Sequence, residues 1–415
     1  MIFDLIRQEC AMWLKSIVFY AYVVILVVFY MSQMEGGLLI GRPEPDGESY
    51  GYTYSDDEAL IMDSALKDLF CDYMSGRNFV TYPVGFYKEV TLSESGREQI
   101  ASCISRLCGM SREEWEQAWA EYDAGYSVEY DEAGREVVEE KVPWPIVTAP
   151  GMTYEEFEGI MEEVDVILGR GSAYGKNELW EHAVVEMTYE QALSEYEDIL
   201  YKDKVSGAYA RLYCDYIGIM LGLLPVFFSA ARVLRDKQSR VKEVIYGKKA
   251  KTAEIVCSRY FGIVIMIFLP ALLLSVLPMS KAVYVAKMAG VGADYLAFPR
   301  YAAGWLLPTI LFVTALAFAI TELTESFLSI LIGTAVWFLA IFTTQSLKWA
   351  GWNLVPRFNA LGEYNLFSHL FSQLVKNRIF YTIASLALLG GIMIIYELKR
   401  KGAIKHGKVS ENLGG

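Results

Sequence analysis

Histidine is nearly absent from this chain: three in 415 residues, His182, His369 and His406, far apart in sequence. That scarcity excludes HExxH-type metal spacings, and an integral membrane enzyme is disfavoured because no nucleophile–base or metal set falls at membrane depth. A phosphate-binding loop is absent as well. The stretch Gly171-Ser-Ala-Tyr-Gly175-Lys176-Asn177 has one glycine and a lysine in place. However, the first loop glycine would fall on Arg170, and Asn177 stands where Ser or Thr must hold the metal. It reads as a glycine-rich turn. Cysteine is sparse, with six residues, and uncharged apolar runs are missing from the whole segment 33–206.

Charge is distributed unevenly. Residues 33–206 hold 38 Asp/Glu and 13 Lys/Arg, a balance of -25. The rest of the chain holds 50 − 38 = 12 acids and 37 − 13 = 24 bases, a balance of +12. One uniform soluble domain does not divide its charge in this way. Six uncharged stretches account for the basic remainder: 16–31, 216–231, 260–280, 301–321, 326–347 and 379–396. A helix rising about 1.5 Å per residue needs about 20 residues to cross about 30 Å of hydrocarbon. Three runs reach that length outright, and the others reach it with Lys15, Asp215 or flanking turns at the headgroups. The expected fold is an all-α polytopic membrane protein with six transmembrane helices.

Orientation follows from the basic loops. Between Arg232 and Lys251 stand eight Lys/Arg against Asp236 and Glu243. Short loops of that composition stay cytoplasmic. The first run then reads as an uncleaved anchor, because Asp4 and Glu9 precede it and no small-residue cleavage site follows Met31. Both termini are expected in the cytoplasm, which also places Lys399, Arg400, Lys401, Lys405 and Lys408 inside. The resulting division is 1–32, an N-terminal helix and first span; 33–206, an acidic, α-rich extracytoplasmic domain between helices 1 and 2; 207–398, spans two to six; and 399–415, a basic tail. Within the third part, 232–254 is a cytoplasmic loop, and 281–298 and 348–378 are extracytoplasmic loops. The last of these carries Lys348, Arg357, Lys376 and Arg378 against Glu363, which fits the charge rule poorly.

Local signals refine this frame. Ile2, Leu5, Ile6 and Glu9 fall at helical spacing, as in an amphipathic helix on the inner membrane face or a plain cytoplasmic leader. In the acidic domain, Ser55…Glu58, Ser111…Glu114, Thr153…Glu156 and Thr188…Gln191 are capping boxes, and Ser93 opens a further helix. Residues 125–150 alternate Val128, Tyr130 and Val137 before three prolines, predicting one hairpin. Cys71, Cys103 and Cys108 fall in a segment where a disulfide is permitted, with one thiol left over whichever pair forms. Pro225, Pro270 and Pro308 predict kinks within spans two to four. Gly218 and Gly222 form a GxxxG seam in span two, read as packing within one subunit ahead of a dimer contact. Arg211 and Asp215 are spaced to pair on a helix at the mouth of that span, and an interfacial ion pair is favoured over a gate.

The loop after span two has the length for a helix, a break at Gly247 and a second helical entry. Here the chain resembles the permease subunits of ABC-2-type ATP-binding-cassette transporters. The likeness rests on Leu5-Ile-Arg-Gln-Glu9 with Leu14-Lys15-Ser16, on Arg235-Asp236-Lys237 followed by Glu243-Val244-Ile245, on Trp305-Leu-Leu-Pro308, and on Tyr396-Glu-Leu-Lys-Arg400-Lys-Gly402. It covers the membrane half of the chain. The usual glycine before the glutamate is missing, and the outer domain is larger than in compact members. The resemblance implies a permease without its own motor in a bacterial plasma membrane, coupling a separate ATPase to substrate translocation, with export the favoured direction. Arg235, Asp236, Arg240, Lys242, Glu243, Val244, Ile245 and Tyr246 would form the coupling loop. ATP and Mg would be bound by the ATPase, and no cofactor by this chain. Expected partners are that ATPase, a second permease copy or a homologous permease, and membrane lipid, with no nucleic acid. The rival reading is a membrane-anchored sensor or scaffold whose acidic extracellular domain binds a peptide or envelope component.

Overall fold

A computed structural model describes residues 2–34, 40–76, 78–83, 87–130, 136–140, 143–239, 245–247, 250–342, 353–358, 361–362 and 364–402. The chain is mostly helical and divides into two compact units, one of residues 1–44 with 190–415 and the other Pro45–Tyr189.

The first unit is a helical bundle. Its elements are α1 (Ile2–Trp13) and α2 (Ile17–Met34) before the second unit. Among the described residues five helices are long and apolar enough to cross a membrane: Ile17–Met34, Ser206–Gln238, Thr252–Met288, Ala297–Thr324 and Tyr364–Arg400. The run expected as the fifth span is a shorter apolar helix, Leu328–Phe342. At about 1.5 Å per residue its 15 residues cover only about 22 Å, and the rest of that run, 343–347, lies outside the described residues.

The second unit contains β1 (Tyr52–Tyr54), α3 (Glu58–Ser75), β2 (Phe79–Thr81), β3 (Lys88–Val90), α4 (Glu94–Cys108) and α5 (Arg112–Gly125). The strands β4 (Tyr126–Tyr130) and β5 (Glu136–Glu140), helix α6 (Tyr154–Leu168) and β6 (Val184–Glu186) follow. The strands form three antiparallel pairs, β1–β6, β2–β3 and β4–β5, the last being the hairpin read from alternation. Caps are built as the spacing requires. Thr153 and Glu156 exchange their hydrogen bonds in a complete capping box, Ser93 Oγ accepts from Gly96 N, and Asp57 rather than Ser55 caps α3. The core is aromatic: the Phe70 ring lies 5.4 Å from Trp115 and 5.5 Å from Trp119, edge-on in both cases. Trp115 is fully buried and donates its indole N–H to Ser105 Oγ at 3.0 Å. Gly171 holds a φ of 76°, and a Cβ there would lie 2.8 Å from the Tyr82 carbonyl carbon and oxygen, so this turn admits glycine alone.

This unit is narrower than the 33–206 segment read from charge. Residues 190–206 cluster with the bundle through α7 (Tyr189–Glu197) and a wide helical turn, Asp198–Lys202. Next come α8 (Ser206–Leu221), α9 (Leu224–Gln238), α10 (Thr252–Leu274), α11 (Val276–Met288), α12 (Ala297–Tyr301), α13 (Leu307–Thr324), α14 (Leu328–Phe342) and α15 (Tyr364–Arg400). Helix α13 packs against α9, α14 and α15, and α1 lies along α10. Two expected loops are partly helical, since α11 runs to Met288 and α15 begins at Tyr364.

The prolines work differently from one another. Pro225 sits in the first turn of α9, where no amide donor is needed, Pro308 follows the π turn Ala302–Leu306 within the helix 297–324, and Pro270 lies inside α10. A Cβ on Gly222 would meet Val355 at 2.9 Å and Trp337 at 3.1 Å, so the GxxxG seam is occupied by this chain's own side chains.

Candidate functional site

The sequence places charges where the helices leave an apolar layer, and folding brings them together. At one end of the bundle, Arg232 lays two nitrogens on Glu9 of α1, at 2.7 and 2.6 Å. Its third nitrogen reaches Asp236, one turn further along α9, at 2.6 Å. Asp236, 6% exposed, also pairs with Arg259 of α10 at 2.5 Å. The Arg259 guanidinium then stands 5.7 Å from the centre of the Tyr396 ring on α15. One turn beyond Tyr396, Lys399 is 3% exposed and pairs with Glu325 at 2.9 Å and Glu322 at 4.0 Å, both at the end of α13. Lys237 closes the set, donating to the Glu325 carbonyl at 3.1 Å. Four acids (Glu9, Asp236, Glu322, Glu325) thus face four bases (Arg232, Lys237, Arg259, Lys399) drawn from five helices. Pairing and hydrogen bonding of this kind offset the cost of taking these charges out of water.

This cluster lies at the root of the basic loop. Arg400 donates to the carbonyls of Tyr246 and Ala250, both at 3.0 Å, and the Tyr246 ring meets Tyr396 edge-on at 5.2 Å. Of the expected coupling residues, Arg235 is exposed and Asp236 is buried in the cluster. Ile245 and Tyr246 are half-buried against the bundle core. Arg240, Lys242, Glu243 and Val244 lie outside the described residues. The sequence reading missed Arg259, Lys399, Glu322 and Glu325 as members. Their only signal was position, since each is a charge within a turn or two of an apolar run.

A second polar set lies 21 residues back along α8 and α9, at Arg211. At 1.5 Å per residue that spacing is about 31 Å, close to the hydrocarbon thickness. Arg211 is fully buried, but its ion partner is Asp203, reached by both terminal nitrogens at 3.1 and 2.8 Å. The guanidinium also donates to the Leu361 and Gly362 carbonyls, at 3.2 and 2.9 Å, and lies 4.8 Å from the Phe367 ring centre. Asp215, the expected partner, accepts the Phe358 amide at 2.9 Å. Proximity in sequence proposed Asp215, whereas the bend at Asp198–Asp203 brings a carboxylate that can accept both forks at once.

In the acidic unit, His182 Nδ1 lies 2.6 Å from Asp68 and Nε2 lies 3.0 Å from the Ala173 carbonyl. Both neighbours are acceptors, so the protonated ring, with both nitrogens donating, satisfies the two of them together. Burial works against that charge. The Asp68 hydrogen bond, the Ala173 carbonyl and the charges of Asp68 and Glu181 outweigh it, and the pKa rises above 6.5. The ring stacks on Tyr174, whose hydroxyl, bonded to Asp72, is pushed well above its ordinary pKa by burial and that carboxylate. Cys71, Cys103 and Cys108 are all free thiols. Among the described residues, no three His, Cys, Asp or Glu are grouped to hold a metal ion.

Set against protein-family models, curated proteins and solved structures, the chain matches none of them.

Proposed function

We propose that this chain is the membrane-spanning permease subunit of an ABC transporter, working with a separate ATPase that grips the 232–254 loop from the cytoplasm. Under this reading the apolar run 326–347 supplies a sixth span, both termini are cytoplasmic, and the acidic unit projects outside a bacterial plasma membrane. The observation that carries the proposal is the pairing of Arg232 with Glu9 and Asp236, and of Asp236 with Arg259. It fastens the N-terminal helix, the last turns of span two and the start of span three to one another at the foot of the loop. A load applied to the loop would therefore reach three helices at once, as rigid-body switching between two states requires. Arg235 is left in solvent beside this anchor, available for partner contact, while Asp236 serves to position it.

Two experiments test the reading. A cysteine placed at Ser239, an exposed position, should resist an impermeant thiol reagent in intact cells and react after permeabilisation. Labelling of intact cells would invert the topology and remove the proposal. The double variant Glu243→Arg/Ile245→Asp should abolish co-purification with the ATPase and loss of substrate-coupled ATP hydrolysis should follow. Undiminished association would overturn docking at this loop. The sensor reading predicts no ATPase association for the unaltered chain.

A further inference from the structure

Arg378 lies 18 residues before Tyr396 on α15, about 27 Å along the helix at 1.5 Å per residue. It is 5% exposed. Its nitrogens donate to the carbonyls of Trp305, Asn353 and Leu354, to Thr309 Oγ1 and to Asn377 Oδ1. Every one of these acceptors is neutral. Among the described residues no carboxylate faces this guanidinium, in contrast to Arg211, Arg232, Arg259 and Lys399, which all have one. The hydrogen bonds are satisfied and the Tyr381 ring centre lies 5.5 Å from the guanidinium, but no carboxylate balances its charge.

The same residue lines a cavity of about 680 Å³, within the roughly 300–1,000 Å³ range of ligand pockets. Its walls are α15 on one side and, on the other, the end of α12, the single π turn Ala302–Leu306 and Pro308 of α13. Such turns recur at functional sites. Apart from Arg300, Tyr301 and Thr382 the rest of the lining is apolar, and its residues Phe371, Ile379 and Ile383 are exposed, so the cavity opens where the bundle would meet lipid. The one other cation at the cavity, Arg300, is already paired with Asp294.

We propose that this cavity binds an anionic phospholipid of the surrounding bilayer, with an acyl chain along the apolar wall and the phosphate drawn towards Arg378. The apolar lining favours an amphiphile over a soluble anion. The uncompensated charge selects the sign of the headgroup, and it acts strongly because the surroundings are of low dielectric. Since the guanidinium protons are already engaged, selection works through charge without new hydrogen bonds, and the preference is modest, about tenfold, or one decade of affinity. The inference stands on the cavity and this one charge, and holds whether or not the chain moves a substrate.

The test is native mass spectrometry of the full chain, titrated in detergent with phosphatidylglycerol or with phosphatidylcholine of the same acyl chains. The unaltered protein should retain phosphatidylglycerol about tenfold more tightly. Folded Arg378→Gln should bind the two lipids alike. Gly304→Leu fills the cavity from a position where a Cβ meets nothing within 4 Å, and it should lose phosphatidylglycerol with helix content unchanged. Should Arg378→Gln not fold, Gly304→Leu decides. Equal retention of the two lipids by the unaltered protein, a preference surviving in folded Arg378→Gln, or undiminished retention by Gly304→Leu would each overturn the proposal.

Discussion

Arg232 serves two carboxylates at once, and this sets how its neighbourhood responds to mutation. Glu9→Gln keeps the shape of the partner but leaves part of the guanidinium charge uncompensated. Breaking a buried pair from one side costs about 3–5 kcal/mol. Asp236 still holds Arg232 at 2.6 Å, so Glu9→Gln should fall near the low end, about 3 kcal/mol. Arg232→Met should cost more, because it strands Glu9 and halves the partners of Asp236. Thermal unfolding in detergent measures both, and the double variant should be clearly non-additive. His182 gives a prediction with a definite sign. Its pKa is raised on folding, so the stability it contributes is complete below about 6.5 and fades as pH rises through the higher folded value. The unit holding it should melt at a lower temperature at about pH 8 than at about pH 6, and His182→Gln should flatten that difference. Some of this was legible in the chain. Thr153 with Glu156 announced its cap through spacing alone. The Asp203–Arg211 and Arg378 arrangements did not, because both depend on which backbone carbonyls the fold brings to a guanidinium.

Helices were easier to read than their limits. The apolar runs located α2, α8–α9, α10 and α13, since burial in lipid demands uncharged side chains over a fixed length. Where a helix carries charges along its length, that rule ends the span too early. Arg378 and Lys376 closed the expected loop 348–378, yet α15 runs straight through both to begin at Tyr364. Close helix approach was equally hidden. A Cβ on Gly262 would lie 2.8 Å from Glu9 Cβ, which cannot withdraw unless α1 moves. Gly262→Ala should cost about 1–3 kcal/mol, and Gly262→Leu should lift α1 from α10. Hydrogen–deuterium exchange over residues 2–13 should rise in the leucine variant, and unchanged protection there would contradict the contact.

At the scale of the whole molecule the charge imbalance read from composition corresponds to two units with separate cores. One is built around Phe70, Trp115 and Phe157, the other around residues such as Tyr213, Tyr260 and Leu306. Calorimetry of the intact chain in detergent should therefore resolve two transitions, and raising the pH from about 6 to about 8 should lower only the one belonging to the unit with His182. A single transition would show that the cores melt together. Composition drew the borders of the acidic segment at 33 and 206, whereas residues 190–206 cluster with the bundle, which charge alone does not reveal. The last helix has a mechanical consequence. Tyr364–Arg400 is 37 residues, about 55 Å at 1.5 Å per residue, with no proline and no break. Arg400 clasps the Tyr246 and Ala250 carbonyls near one tip, and Phe367 sits beneath Arg211 near the other. Held near both tips, such a helix would carry a displacement of one end of the bundle towards the other.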